Sequence, residues 1–396
     1  MAGHKNLLIG VSGGIAAYKV CEVASYFTKK GVNVNVVMTE HAAQFVGPLT
    51  FEALTKNPCL TSLFDGKSAD PVAHVNLARN ADAVLIAPAT ANVIAKLANG
   101  IADDMLTSTV LAASCKKLVA PAMFTGMLEN VATKRNLNQL QKDGFSIIEP
   151  AEGRLACGAV GSGRLAEPAD LISAVEEALF GNSLLSGKKV LITAGPTQER
   201  LDPVRFLTNH SSGKMGYAIA KAAKAMGAEV TLVTGKTALR APYGVETVSV
   251  TSAEEMAKAV LSRQKDADLI VMAAAVADYT PAAVAGQKIK KSEDDLSLLL
   301  CRTKDILASL GEKKRPGQVL VGFSMETENL LENSRKKLTK KNADMIVAKS
   351  IADENTGFCV DTNAAILNTK DGETESGLLP KEELAVLLLE KAAELF

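Results

Sequence analysis

An apolar strand pattern that runs into a glycine turn and then an amphipathic helical pattern occurs twice in this chain, and the recurrence limits the fold more than any other feature. Residues 5–11 (KNLLIGV) lead into SGG and a helical stretch over 15–30. Residues 188–194 (KKVLITA) lead into GPT, and a second helical stretch covers 214–226. Further strand patterns are predicted at 32–38, 83–87 and 117–120 in the first half, and at 229–234, 269–273, 319–322, 345–348 and 364–368 in the second. A closing helix is predicted over 381–395. Strands that alternate with helices imply parallel pairing in a doubly wound sheet. Runs such as Val84–Ala87, apolar at every position, suit strands covered on both faces. The small, polar, glycine-bounded stretch 180–187 (FGNSLLSG) interrupts the pattern. The chain is therefore read as two α/β domains, residues 1–180 and 188–396, joined by a linker at 181–187.

In an open parallel sheet, ligands sit beyond the carboxyl ends of the strands at the point where strand order reverses. Each half should then carry its own site, in the loops after Val11, Met38, Ala87 and Ala120 and after Ala194, Thr234, Ala273 and Gly322. Composition narrows what those sites can be. Lys and Arg total 44 and Asp and Glu total 44, so no global basic excess points to nucleic acid. Trp is absent and aromatics are 4%, which argues against a base-stacking surface. No apolar run approaches the roughly 20 residues that span a bilayer, and the first residues lack the pattern of a signal peptide. Six cysteines stand apart with no CxxC pair, and the four histidines are not at zinc-ligand spacing. Cytoplasmic localisation, reduced thiols and no structural zinc are the expectations.

In the first half, Gly10 to Ile15 (GVSGGI) and Ala87 to Asn92 (APATAN) each connect a strand to a helix. Glycines admit close backbone approach, and a helix N-terminus presents free N–H groups to phosphate; a tight turn with close helix packing is the other reading of either loop. Neither is GxGxxG, which weakens a nicotinamide dinucleotide reading. His74 lies in DPVAHVNLA, where a structural histidine is the simplest reading, and Cys157 lies in the glycine-rich ACGAVGSGRL. A thiol there, near Arg154 or Arg164, can give up a proton or act as a thiolate.

VSGGIAAYK (11–19), His74, APATAN (87–92), PAM (121–123) and ACGxxGxGRL (156–165) together resemble the flavin-dependent phosphopantothenoylcysteine decarboxylases, over residues 5–180. The resemblance implies a flavodoxin-like, Rossmann-like domain with FMN held by Gly13, Gly14, Ile15, Thr39, Thr90 and Asn92. It implies oxidation of the cysteinyl thiol to a thioaldehyde, because an unactivated carboxylate has no electron sink of its own. His74 would then be the base that assists oxidation, and Cys157 the acid that protonates the enethiolate left by CO2. One position departs from the pattern. The family carries Asn after PAM, contacting the substrate carboxylate, and here Phe124 has neither donor nor acceptor. Either another group such as Asn130 substitutes, or this half is an impaired or regulatory flavin-binding domain.

In the second half, residues 192–216 read ITAGPTQERLDPVRFLTNHSSGKMG. The SSGK run is not a P-loop, since Met215 rather than Ser or Thr follows Lys214. An ordinary helix start with a solvated lysine is one reading. Arg205, Asn209, Ser211, Ser212 and Lys214 can also form an anion- and amide-recognising cluster. From Lys288 to Lys341 there are 13 Lys and Arg against 8 Asp and Glu, a local excess of five. Such charge is a solvated face unless it meets a triphosphate.

ITAGPT, DPVR, NHSSGKMG, AAVADY (274–279), KIKK (288–291) and VGF (321–323) resemble the phosphopantothenate–cysteine ligase domain over residues 188–396. The order of the two halves resembles the bifunctional coenzyme A biosynthesis flavoproteins. The resemblance implies that 4′-phosphopantothenate attacks CTP to give an acyl-cytidylate and pyrophosphate, and that the amine of L-cysteine then displaces CMP. Lys288 would stabilise the charge of cytidylate formation, and Asn209 would grip the acyl group. Arg205, Ser211, Ser212 and Lys214 would complete the phosphopantothenate site. Ala273, Ala274, Asp278, Lys288, Asp305, Ile306, Phe323, Lys337 and Lys341 match nucleotide-binding positions, although Thr303 and Lys304 replace the family's Asn-Pro. Mg2+ is expected on the triphosphate, held mainly by phosphate oxygens and water. A homo-oligomer is expected, with trimeric contacts in the decarboxylase half and dimeric contacts in the ligase half, and no nucleic acid or membrane partner.

Overall fold

A computed structural model of the chain describes residues 5–64, 70–156, 158–291, 296–326, 330–350 and 362–396. It divides into two compact units, Met1–Gly181 and Asn182–Phe396.

In the first unit, β1 (Asn6–Val11), β2 (Asn33–Met38), β3 (Cys59–Leu60), β4 (Ala83–Ala89), β5 (Lys116–Pro121) and β6 (Phe145–Ile147) form one sheet in the order 3-2-1-4-5-6. Every neighbouring pair is parallel. The helices are α1 (Ala17–Lys29), α2 (Pro48–Thr55), α3 (Ala73–Asn80), α4 (Ala91–Ala98), α5 (Met105–Ala112), α6 (Thr125–Leu128), α7 (Val131–Lys142) and α8 (Pro168–Phe180). Strand β4 is buried at all seven positions. On one face, Leu8, Val37 and Ile86 pack with Ile94 of α4, Leu106 of α5 and Leu140 of α7. Helices α1 and α8 pack together and against the sheet. Strand order reverses between β1 and β4, so the loops after those two strands define the switch point. A separate hairpin, β7 (Ala151–Arg154) with β8 (Val160–Arg164), follows the sheet.

In the second unit, eight strands take the order 13-12-9-14-17-18-19-20. They are β9 (Lys189–Ala194), β12 (Glu229–Thr234), β13 (Glu246–Ser249), β14 (Leu269–Met272), β17 (Val319–Glu326), β18 (Met345–Ser350), β19 (Thr362–Thr369) and β20 (Glu373–Pro380). Two small hairpins, β10 (Gln198–Arg200) with β11 (Phe206–Thr208) and β15 (Tyr279–Pro281) with β16 (Leu300–Arg302), lie off this sheet. The helices are α9 (Lys214–Ala225), α10 (Ala253–Arg263), α11 (Ile306–Glu312), α12 (Leu330–Lys340) and α13 (Lys381–Ala393). Ile192, Val271 and Val321 pack with α9 and α13 on one face, and Leu191, Ile270 and Leu320 pack with α10 and α11 on the other. The β9–β14 gap is this unit's switch point.

The predicted strands all form, with ends shifted by a few residues. The structure adds short edge strands and hairpins that the apolar pattern does not mark. β3 is two residues long, and β20 is mostly solvated, so neither presents a continuous apolar run. The second sheet is also mixed rather than parallel throughout, because β19 and β20 pair antiparallel beyond β18.

Candidate active sites

At the switch point of the first unit, one buried hydroxyl joins the two key loops. Ser12 donates from Oγ to the Pro88 carbonyl at 2.6 Å and accepts from the Thr90 N–H at 3.0 Å. Thr90 in turn caps α4, its hydroxyl accepting from the Val93 N–H. The N–H groups of Ala91 and Asn92, ahead of Val93, have no acceptor within the helix. Thr39 closes the loop after β2, its hydroxyl accepting from the Ala42 N–H at 3.2 Å. Gly13 sits against this loop. A Cβ there would lie 2.5 Å from the His41 Cβ, so only glycine lets the β1 and β2 loops approach so closely.

Two adjacent clefts open on these loops. The first, about 770 Å³, is lined by Gly13, Thr39, His41, Thr90, Asn92 and Met105 among others. Its rim is fixed by Lys96, which pairs with Asp103 at 2.6 Å and Asp104 at 3.2 Å. The second, about 580 Å³, is lined by Gly13, Gly14, Ile15, Thr90, Phe124 and Arg154 among others. All six residues expected at FMN therefore line one cleft or both. The glycine cradle, the threonine and asparagine side chains and the start of α4 suit a phosphorylated ring system, and the first volume is in the range of cofactor sites.

Other expected residues fall differently. His74, in the first turn of α3, lines neither cleft. Cys157 lies outside the described residues, while Leu155 and Ala156 just before it line the second cleft. Phe124, 52% exposed, precedes α6 and forms part of that cleft's wall. Asn130 lines neither cleft; its side-chain oxygen caps α7, accepting from the Ala132 N–H at 2.9 Å. Arg164 and Lys19 both pair with Glu167. Sequence reasoning missed His41, Lys96 and Met127. His41 is legible in the sequence, since it lies two residues after Thr39 in the loop that follows β2.

In the second unit the loops after β9 and β14 bond to one another. Ala275 N–H donates to the Gly195 carbonyl at 2.9 Å, Ala277 N–H to the Thr197 hydroxyl at 3.0 Å, and Ala274 N–H to the Thr193 hydroxyl at 3.1 Å. Thr303 donates from its hydroxyl to the Ala277 carbonyl at 2.6 Å, a contact open to the residue that stands in the family's Asn position. A cleft of about 460 Å³ lies beside these loops, lined by Ala274, Asp278, Asp305, Ile306, Phe323, Lys337 and Lys341 among others. Of the nine expected nucleotide positions, only Ala273 and Lys288 are not part of the lining.

Charge in this cleft is organised by α11 and α12. Asp305 caps α11 through the Ala308 N–H at 2.8 Å and pairs with Lys341. Burial opposes its charge, but Lys341, the Ala308 N–H and Lys337 outweigh burial and hold the carboxyl below its ordinary range. Lys337 donates to the Phe323 carbonyl at 3.0 Å. Lys337 is thereby drawn to β17 and Lys341 to the start of α11.

The expected phosphopantothenate residues divide. Asn209 donates to the Ala275 carbonyl at 3.2 Å, and Ser211 Oγ accepts from the Gly213 N–H at 3.3 Å, ahead of α9. Arg205 is turned elsewhere, onto Asp202 and the Ile289 carbonyl. Among the described residues no group of three His, Cys, Asp or Glu side chains is placed to hold a metal ion, and no helix is long and apolar enough to cross a membrane.

Residues 1–180 match the family described as Flavoprotein, and residues 185–395 match the DNA/pantothenate metabolism flavoprotein C-terminal domain. The coenzyme A biosynthesis bifunctional protein CoaBC of Bacillus subtilis (strain 168) is 47% identical over 399 residues, covering 100% of this chain and 98% of that protein. The protein of the same description from Vibrio parahaemolyticus serotype O3:K6 is 44% identical over 397 residues, covering 100% of this chain and 99% of its own length. That from Vibrio cholerae serotype O1 is 45% identical over 387 residues, covering 97% and 96%. With both halves matched in order and relatives aligned end to end, the chain belongs to the family of bifunctional coenzyme A biosynthesis proteins.

Proposed function

We propose that this chain makes 4′-phosphopantetheine from 4′-phosphopantothenate, L-cysteine and CTP, by ligation in the second unit and decarboxylation in the first. The observation that carries the reading is a loop-built cleft in each unit, over the β1–β4 switch point in the first and beside β14 and β17 in the second, in a chain matched along its whole length by bifunctional relatives.

For ligation, the 4′-phosphopantothenate carboxylate attacks the α-phosphorus of CTP and pyrophosphate leaves. The amine of cysteine then attacks the acyl carbon and CMP leaves with the bonding electrons. Lys337, Lys341 and the backbone around Ala274 and Asp278 hold the nucleotide, and Lys288 balances the charge that develops on the phosphoryl oxygens. Mg2+ is carried mainly by the phosphates and water. Asn209, Ser211, Ser212 and Lys214 receive the phosphopantothenoyl portion.

For decarboxylation, Gly13, Gly14, Ile15, Thr39, Thr90 and Asn92 hold FMN. The chemistry FMN supplies when bound is a reversible two-electron sink for the cysteinyl thiol. His74 takes the thiol proton and Cys157 returns one to carbon after CO2 leaves. Ile15 and Tyr18 beside the second cleft are each 60% exposed, and His74 lies away from both clefts of its own chain. Both features support a homo-oligomer in which His74 serves a neighbour's cleft; the family resemblance adds trimeric contacts through this unit and dimeric contacts through the second. The cytoplasm supplies all three substrates.

Lys288→Gln is the test. Pyrophosphate release should fall at least a hundredfold, while FMN binding and decarboxylation of supplied 4′-phosphopantothenoylcysteine persist. Pyrophosphate release at the parent rate would overturn the ligase assignment.

A further inference from the structure

Between β10 and β11 the chain turns through residues 201–205, and the centre of that turn is a carboxylate almost closed off from water. Asp202 is 2% exposed. Its Oδ1 accepts from the N–H groups of Val204 and Arg205, both at 2.8 Å. These two bonds are local and complete the turn.

Its Oδ2 does something else. It accepts from Arg205 Nε at 3.0 Å and Nη2 at 2.6 Å, and from the Ile289 N–H at 3.1 Å. Arg205 Nη2 also donates to the Ile289 carbonyl at 2.8 Å. Both backbone groups of Ile289 are thus held by one carboxylate–guanidinium pair more than eighty positions away in sequence. Four residues earlier, the Ala285 N–H donates to the Leu201 carbonyl at 3.0 Å. The strap 285–289 is therefore fastened at both ends to the same turn, and the exposed side chain of Lys288 leaves it beside the second fastening. Burial opposes the charge on Asp202. Arg205 and the three N–H groups outweigh burial and keep the carboxyl ionised far below its ordinary range.

We infer that Asp202, acting through Arg205 and Ile289, is a positioning residue that aims Lys288 at the reacting phosphoryl group. The inference rests on the proposed ligase role of Lys288. It also changes the part assigned to Arg205, which fastens the strap rather than recognising a substrate anion. A lysine on a strap of irregular backbone has no helix or strand to direct it. A misplacement of about 1 Å can cost a hundredfold in rate, which makes a buried anchor beside it consequential.

Asp202→Asn separates the two functions of the carboxylate. The amide oxygen still serves the turn at Oδ1, while the NH2 group in place of Oδ2 cannot accept from Ile289. Full-length protein would be assayed for pyrophosphate release with phosphopantothenate and CTP, alone and in the Lys288→Gln background. The expected result is a ten- to hundredfold loss in kcat with KM for CTP within about twofold. In the Lys288→Gln background the same change should cost less than about twofold, because the two residues act as a unit. Amide exchange should quicken at residues 285–290 but not in β9 or β12. Arg205→Lys, which keeps the charge but loses the forked contact, should show the same pattern at smaller size and serves if Asp202→Asn does not fold. Independent, additive losses, or an unchanged kcat, would overturn the positioning role. Should Lys288→Gln itself retain parental pyrophosphate release, the proposed role of Lys288 fails instead.

Discussion

Lys349 offers a quantitative test of how the second unit is packed. It is 8% exposed, on β18, with its amine 5.1 Å from the centre of the Phe323 ring. With the Asn363 amide oriented so that its oxygen faces the amine, Asn363 accepts from Nζ at 2.8 Å and donates to the Thr362 carbonyl at 3.0 Å. Burial, and then the positive charge of Lys381 at the start of α13, push the amine down to about 7 from its ordinary 10.5. Between those values the unfolded chain binds a proton that the folded chain does not, so stability must rise with pH. Each pH unit contributes up to about 1.4 kcal/mol, and the whole window about 5 kcal/mol. Below pH 7 both states are protonated and above 10.5 both are neutral, so the gain is confined to that interval.

Lys349→Met keeps the straight chain and removes the titration, at a pH-independent cost of about 1 kcal/mol for the Asn363 contact. At pH 7.5 the variant should be more stable than the parent by roughly 2–3 kcal/mol. Urea unfolding followed by far-ultraviolet circular dichroism, repeated from pH 7.5 to 9.5, should show that advantage shrinking by about 1.4 kcal/mol per pH unit. A difference between the two proteins that stays flat across the window would refute the reasoning. So would a variant less stable than the parent at pH 7.5.

Ser12→Ala should cost the first unit about 1–3 kcal/mol, because it strands the part-buried Thr90 N–H, and should weaken FMN binding severalfold in a fluorescence titration; parental affinity would show that the hydroxyl does not hold the loops. Lys341→Met should raise KM for CTP about tenfold with kcat nearly unchanged, since it removes ground-state binding; a lowered kcat at constant KM would move Lys341 into the chemistry. His74→Asn and Cys157→Ser chains, each inactive alone, should recover up to about a quarter of parental decarboxylation when unfolded and reassembled together, as expected for sites shared across a symmetric interface. No recovery would place both residues in one chain's site.

The parts of this architecture that are legible in sequence are those set by local pattern. β1 and β9 announce themselves as apolar runs ending in glycine, and the six residues proposed to hold FMN lie in or just after the loops that follow β1, β2 and β4. Contacts made by chain crossing are not legible. Nothing near Asp202 signals that its partner is Ile289, and nothing near Gly13 signals that its missing side chain makes room for His41. Residue types also mislead when the partner is unseen. Arg205 in DPVR has the chemistry of an anion receptor, and the sequence does not show that it bonds to its own neighbour, Asp202. Asn130 is near Phe124 in sequence, yet it caps α7 and lines neither cleft.

The central claim is that one chain joins its substrates and then decarboxylates the product. Cysteine labelled at its carboxyl carbon tests it most directly, with FMN-loaded protein, 4′-phosphopantothenate, CTP and Mg2+ in one vessel. One pyrophosphate, one CMP and one labelled CO2 should appear for every 4′-phosphopantetheine formed, with no labelled CO2 when CTP is withheld. Stoichiometric pyrophosphate with labelled 4′-phosphopantothenoylcysteine accumulating and no labelled CO2 would contradict it.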